Sequence, residues 1–544
     1  SVSKNESYTY MWDNTLNYVN TWKKHSLVGL VGFSIEKYES DGLKASGSGF
    51  PDDQVLTNLN SAAKKNSISS SYSSNTLASF LSRLEYKFNN RYLLTLNFRA
   101  DGSSQFGPDK RWGYFPSGAV AWIITEENFM KDYSNIVSYL KLRGSVGKTG
   151  SQNLGAYDWR TLMGSATYNG AAGIVPSSLG NDILQWEEQI QKEVGLDYGF
   201  WDDRIRGTLG YYQKKVDNLL YSDPVPTSSS FSSVYQNIGS LKNRGIEFDV
   251  RVDIIKNVQK DLTWNVDFNI ARNRTTLEKL NSSDGYFGGG AYDYFKIEEG
   301  GETGRFYGYK DAGRLFMTNE ELVGLKTIDP KTGTLKYYRD DYNYERQGDV
   351  YIMDLDGDGQ ITADGDRTVI GNANPDFFGG FVSTLYWKGL MLNAVFSYSV
   401  GGDRFWDEEK NSSGDMNVYN TSNRILDSWT VNPGVNASYP RAMYYGWGSN
   451  SIITDRYIHD ASYLRMTALN LSYRLPKHLY KNSILNAVEF TFQATNLFTW
   501  TKYPGMDPQG NFSTTYSAFY NMGIDYSTYP SARTYNFGIK LTLK

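Results

Sequence analysis

The chain has 544 residues, a formal net charge of -4 and no cysteine. That length exceeds one ordinary domain, and the missing thiols exclude disulfides, thiolate catalysis and cysteine-ligated metals. A slightly acidic balance without any Lys/Arg-rich run excludes a nucleic-acid footprint, while 43 Tyr, 13 Trp and 27 Phe favour strands and membrane interfaces over helical cores.

No run approaches the roughly 20 apolar residues of a transmembrane helix. A mean hydropathy of -0.52 is still compatible with a membrane barrel, whose strands alternate lipid-facing and lumen-facing residues. That alternation begins with strands predicted near 8–22, 25–38 and 80–88, the last placing Leu84, Tyr86 and Phe88 opposite Arg83, Glu85 and Lys87. Asn89-Asn90 then forms a hairpin turn tolerant of positive φ. The return strand, 91–101, sets Tyr92, Leu94, Leu96, Phe98 and Ala100 against Arg91, Thr95, Asn97 and Arg99. Further strands are predicted at 115–125, 139–149, 189–200 and 204–217, the last two joined across Asp202-Asp203. At 244–255 and 261–273, Ile246, Phe248, Val250 and Val252 and then Trp264, Val266, Phe268 and Ile270 each oppose charged or amide residues. The series closes with 376–387, 389–400, 462–475, 486–498 and 531–543.

Short turns and long loops strictly alternate between these strands. The long connections are 39–79, 102–114, 150–188, 218–243, 274–375, 401–461 and 499–530. Outer-membrane barrels have short periplasmic turns and long extracellular loops, so the alternation puts the C-terminus in the periplasm. The expected fold is all-β: a transmembrane antiparallel up-and-down barrel contributing about fifteen of about twenty-two strands. On this parity Ser1 to Glu6 lie in an extracellular loop, and a second polypeptide or residues outside this sequence supply the missing strands. A soluble propeller or sandwich array fits less well, because no blade-length repeat occurs and the loops are long and unequal.

Several segments resemble the SusC/RagA family, in order along almost the whole chain. They are Asn90-Arg-Tyr-Leu-Leu-Thr, Arg99-Ala-Asp-Gly-Ser-Ser, Arg111-Trp-Gly-Tyr-Phe-Pro and Leu140-Lys-Leu-Arg-Gly-Ser-Val-Gly-Lys-Thr-Gly. Trp186-Glu, Gly195-Leu-Asp-Tyr-Gly-Phe and Asn243-Arg-Gly-Ile-Glu-Phe follow. Asn374-Pro-Asp-Phe-Phe-Gly-Gly, Tyr463-Leu-Arg-Met, Thr495-Asn-Leu-Phe-Thr and Arg533-Thr-Tyr-Asn-Phe-Gly complete the series. The resemblance implies a TonB-dependent importer of oligosaccharides or oligopeptides in the outer membrane of Bacteroidota. It further implies a SusD-type lipoprotein lid, an N-terminal plug, and a TonB box reaching TonB–ExbB–ExbD, the last two expected in a part outside this sequence. Such barrels commonly finish on an aromatic residue, whereas this sequence finishes Leu541-Thr-Leu-Lys544.

The sharpest chemical motif lies in the longest loop, 274–375. Asp354, Asp356 and Asp358 occupy positions one, three and five of an EF-hand-like loop, with Gly359 at six and the Gln360 carbonyl at seven. Alternate oxygens of that kind wrap a hard cation after a sharp turn. Position twelve is Gly365 instead of a bidentate Glu, with Asp364 and Asp366 on either side as substitutes. Five neighbouring acids repel one another without a cation, so Ca²⁺ is expected here, stiffening an extracellular segment.

Loop aromatics can stack on sugars or touch the lid: Phe405, Trp406, Tyr444, Tyr445, Trp447, Tyr516, Phe519 and Tyr520. Packing of loop on loop explains them equally well. Strand-end aromatics such as Trp12, Tyr18, Trp122, Tyr198, Trp264 and Trp387 suit interfacial girdles. No organic cofactor and no enzyme activity are expected. Gly147-Lys148-Thr149 lacks the earlier glycine of a phosphate loop, His25, His459 and His478 stand apart in sequence, and nothing pairs two carboxylates for glycoside hydrolysis. The runner-up reading is a surface carbohydrate-binding protein that does not transport.

Overall fold

The computed structural model describes residues 1–52, 54–280, 286–287, 294–318, 321, 327–328, 335–336, 347–358, 361–414, 420–431, 433–434, 437–442, 450, 452–481, 484–510, 522–526 and 528–543. Fifteen strands form one antiparallel sheet whose spatial order follows the sequence. They are β1 (Val2–Trp22), β2 (His25–Ser48), β3 (Lys64–Phe88), β4 (Tyr92–Ser103), β5 (Trp112–Ile123), β6 (Val137–Ser151), β7 (Glu187–Phe200) and β8 (Ile205–Asp217). Then come β9 (Ser240–Asn257), β10 (Leu262–Lys279), β11 (Phe377–Trp387), β12 (Leu390–Val400), β13 (Tyr463–Arg474), β14 (Leu485–Thr501) and β15 (Thr534–Leu543). Among the described residues no helix is long and apolar enough to cross a membrane.

The short connections are set by residues that accept left-handed backbone. Asn89 and Asn90 have φ of 50° and 55°, Asp202 and Asp203 have 55° and 57°, and Lys388-Gly389 has 47° and 87°. Asn and Asp tolerate this region through local hydrogen bonding, and Gly has no Cβ to clash. With the turns fixed, register follows along each hairpin, as in Phe88 facing Tyr92 and Trp387 facing Leu390.

Two compact units divide the chain. Unit 1 comprises Ser1–Asp203, Gly210–Arg244 and Glu278–Asp284; unit 2 comprises the remainder. In unit 1 the apolar alternate residues stand on an exposed face, Leu16 at 70% exposure and Val120 at 60%. The opposite face is ion-paired: Lys141 Nζ lies 3.1 Å from Asp197, Arg143 bridges Asp197 and Glu193, and Arg99 Nε holds Asp101 at 2.7 Å. Exposed apolar against paired charge is the arrangement expected when one face meets lipid and the other water.

Aromatic rings bound this apolar face at two levels. Trp12, Phe33, Phe80 and Trp112 make a chain of ring contacts at 6.2, 5.0 and 6.1 Å. Near the short turns a second row runs from Trp22 over His25 and Phe88 to Tyr92, with centroids 5.4, 5.0 and 6.3 Å apart. Trp12 and Trp22 lie ten residue steps apart along β1. At about 3.4 Å per residue and a tilt near 45°, the rows are separated by about 24 Å, the height of the apolar band of an outer-membrane barrel.

The first three strands run far past that band, which corrects the predicted boundaries. Val2 to Glu6, expected in a loop, pair in register with Ala45 to Asp41, and β2 and β3 remain paired up to Ser48 and Lys64. The loop predicted at 39–79 therefore shrinks to 49–63. The extension is rich in Ser, Asn, Gly and Tyr, which removes the apolar alternation without removing a single ladder donor. Three expected loops, 274–375, 401–461 and 499–530, also pack into buried clusters. In unit 2, Tyr309, Leu315, Phe316, Val350, Ile352 and Ile361 form one buried cluster, and Tyr294, Phe295, Phe306, Phe405, Tyr457 and Ile524 form another.

Candidate functional site

The acidic turn is held between a short strand, Val350–Ile352, and another, Arg367–Asn372. Asp354, Asp356 and Asp366 each bring a carboxylate oxygen within 4.8 Å of the others. Asp366 is fully buried; its Oδ1 accepts the Leu355 N–H and its Oδ2 the Thr362 N–H, both at 2.7 Å. Asp354 accepts the Gly357 N–H at 2.7 Å, and Gly357 has φ +77°, so the sharp turn rests on a glycine. A Cβ at Gly365 would meet Asp356 Oδ2, so a side chain at the twelfth position would require the Asp356 carboxylate to move.

Asp358 and Asp364 stand outside this three-carboxylate group, and Gln360 lies outside the described residues. The Asp356 carboxyl titrates above the ordinary carboxylate range. The Asp358 N–H pulls it down, but burial, the charges of Asp358 and Asp366 and a hydrogen bond with Asp354 outweigh that pull. Ile361, at position eight, plugs the turn into the buried cluster around Phe316. A hard dication fits the set: three convergent oxygen donors, clustered like charge, and an apolar anchor that fixes the loop.

The predicted loop aromatics divide. Phe405 is wholly buried, 4.9 Å from the Tyr294 ring and 6.4 Å from Phe306. This corrects its expected contact with substrate or lid, because a residue at 0% exposure joins loops and meets no external molecule. Trp406 is half-buried, with the Arg424 guanidinium 4.6 Å over its ring and His459 and Tyr503 edge-on or tilted at 5.9 and 6.2 Å. Tyr444, Tyr445, Trp447, Tyr516, Phe519 and Tyr520 lie outside the described residues.

Around Trp406 stands a polar junction that the linear sequence did not disclose. Buried Glu409 receives Arg424 Nη1 at 2.5 Å and the Tyr439 hydroxyl at 3.3 Å on Oε1, while His459 Nε2 lies 2.6 Å from its Oε2. Asp407 accepts the Tyr294 hydroxyl at 2.6 Å, tying the 274–375 loop to the 401–461 loop. Tyr503 donates to Asp525 at 2.8 Å, and its phenol is pushed up by burial and then by Asp525. The one available signal was the acidic run Asp407-Glu408-Glu409 beside Arg404 and Arg424, which names no partners by itself.

A second clamp sits at the start of β13. Arg465, within the Tyr463-Leu-Arg-Met motif, reaches Asp507 Oδ1 at 2.6 Å, Gln509 Oε1 at 2.6 Å and Thr499 Oγ1 at 2.9 Å. Burial pushes the Asp507 carboxyl up, but Arg465, the Gln509 N–H and Ser531 together hold it below the ordinary range.

Residues 2–441 match the family model described as TonB dependent receptor-like, beta-barrel. The chain belongs to that family. TonB-dependent receptor P3 of Formosa agariphila is 32% identical over 552 residues, which covers 97% of this chain and 52% of that receptor. TonB-dependent receptor SusC of Bacteroides thetaiotaomicron is 32% identical over 483 residues, 86% of this chain and 44% of SusC. Among solved structures, the RagAB peptide transporter superposes with a TM-score of 0.80 at 26% identity, covering 99% of this chain and 56% of that one. The receptor chain is thus of the SusC/RagA type, and it spans about half the length of the relatives it matches. That family is one of TonB-dependent receptors and transporters, which are not enzymes.

Proposed function

We propose that the receptor forms part of the wall and extracellular loops of a TonB-energised importer of oligosaccharides or oligopeptides, working with a SusD-type lipoprotein lid. The carrying observation is the fifteen-stranded sheet with an exposed apolar face and an ion-paired opposite face, in a chain matched over 97% of its length by a TonB-dependent receptor. The outer edges of β1 and β15 have no partner strand among the described residues. About seven further strands and a plug carrying the TonB box complete the barrel. The long loops face outward and the C-terminus faces the periplasm.

Of the two substrate classes, the likeness to the RagAB peptide transporter supports oligopeptides, and the resemblance to the SusC/RagA family carries oligosaccharides. The test is uptake of labelled oligosaccharides and oligopeptides by cells carrying the full-length gene, its deletion, and a TonB-deficient background. Uptake of one class that requires both the gene and TonB supports import. Surface binding without TonB-dependent accumulation supports the carbohydrate-binding alternative instead.

The acidic turn holds Ca²⁺ through Asp354, Asp356 and Asp366, stiffening the 274–375 loop. Chelation is expected to speed protease cleavage within that loop in the full-length protein, and added Ca²⁺ to restore resistance. Unchanged cleavage would count against the metal.

A further inference from the structure

The apolar face of unit 1 carries an open furrow five strands wide, with a volume of about 690 Å³. Its floor is Gly118 of β5 and Gly144 of β6; its walls are Leu96, Val120, Val146, Val194 and Tyr211. The register places these residues side by side: Leu96 faces Gly118, which faces Val146, and Val120 faces Gly144, which faces Val194. Neither glycine has positive φ. A Cβ at Gly144 would meet nothing closer than the Glu193 carbonyl at 3.9 Å, and one at Gly118 nothing closer than Leu96 Cδ2 at 3.4 Å. The backbone does not require glycine at these positions, so what the two residues accomplish is the depression itself.

Lys192 and Gln213 stand at one end of the furrow. Lys192 is exposed and pairs in register with Val146. The acids near it on β7 are engaged elsewhere, Glu188 with Lys148 at 2.6 Å and Glu193 with Arg143, and among the described residues no ion pair includes Lys192. β7 ends at Phe200, beside the short turn. At about 3.3 Å per residue and a tilt near 45°, Lys192 lies about 19 Å above that edge of a band about 25 Å high. Its flexible stem spans the remainder, so the ammonium reaches headgroup level while the methylenes stay on apolar surface.

We propose that this furrow holds an acyl chain of a membrane lipid whose anionic phosphate headgroup pairs with Lys192. The inference rests on the reading of the chain as an outer-membrane barrel. An unengaged cation at headgroup level above an apolar trough matches a phospholipid, with charge at one end and hydrocarbon along the rest. A second copy of the chain would have to offer an unpaired acid at the same height.

The test uses the full-length receptor in nanodiscs of equal phosphatidylglycerol and phosphatidylcholine, with retained lipid read by native mass spectrometry. Wild type is expected to keep one lipid, mainly phosphatidylglycerol. Lys192→Gln lowers the glycerol-to-choline lipid ratio about five-fold, and Gly144→Leu fills the trough and removes both adducts. An unchanged ratio in Lys192→Gln, or retained lipid in Gly144→Leu, overturns the proposal. So does a wild-type dimer that Gly144→Leu dissolves, since that assigns the furrow to a second copy. Heat-modifiable gel mobility separates the two readings: a heat-modifiable protein without bound lipid refutes the lipid site alone, whereas absence of that mobility strikes the barrel reading on which it rests.

Discussion

Arg465 offers the sharpest test of how the loops are fastened. Its guanidinium and the Asp507 carboxylate are 5% and 7% exposed and 2.6 Å apart, and Ser531 Oγ adds a 3.0 Å bond to Asp507 just before β15. Arg465→Met keeps the stem and deletes the charge, leaving a buried carboxylate whose chief counterion is gone. Breaking one side of a buried pair costs about 3–5 kcal/mol. At tenfold per 1.4 kcal/mol this raises local opening of 499–510 by about two to three and a half orders of magnitude. Hydrogen exchange of those amides in the full-length receptor is the assay. In wild type the Asp507 pKa is depressed, so its contribution is present above the unfolded value of about 3.9 and is lost as pH falls through the folded one. In the variant, burial acts with less opposition, the carboxyl titrates upward, and the protection lost at neutral pH partly returns under acid. Arg465→Met/Asp507→Asn should recover most of the wild-type protection, because both buried charges are gone. Exchange within about threefold of wild type in the single variant would refute the clamp.

Asp366→Asn replaces an acceptor-only carboxylate with a group that points an amide N–H₂ at one of two backbone donors, at Leu355 or Thr362; terbium luminescence should show at least about tenfold weaker metal binding. Burial raises the Asp403 pKa, with Asp460 and Asp376 adding to it, so Asp403→Asn should slow protease nicking of the 401–461 loop at pH 7. That advantage should vanish as pH falls below the raised value, where wild type is also neutral. Asn90→Val forces a β-branched residue to φ 55° and should lower stability by about 1–2 kcal/mol in urea unfolding from detergent, whereas Asn90→Gly should not.

All fifteen sheet strands were legible in the sequence, because lipid on one side and water on the other imposes a period of two; the alternation of short turns and long loops fails at one place, where 124–136, expected short, outruns 104–111, expected long. Asn89-Asn90 and Asp202-Asp203 announced themselves by chemistry, since few other residues accept positive φ. The upper halves of β1, β2 and β3 were not legible. Ser, Asn and Tyr alternate there without hydrophobic contrast, and strand formation is decided by a neighbour already in register. The acidic turn was visible as spacing, yet which of its five acids converge was not: Asp366 joins the group and Asp364 does not, because the backbone N–H groups of Leu355 and Thr362 capture Asp366.

The sequence by itself determined strand number and which face of each strand is apolar, through the period of two, and it set the pairing wherever a turn is two or three residues long, as at 23–24, 89–91 and 388–389. Only the tertiary structure decided what the long loops do with their side chains. Phe405 is buried in an apolar cluster while Trp406 lies under the Arg424 guanidinium, although they are adjacent in the chain. Glu409 finds Arg424, Tyr439 and His459, which lie 15 to 50 residues away. Such contacts have no local period. They arise where the sheet brings loop ends together, and there burial and hydrogen bonding select among partners that composition makes equivalent.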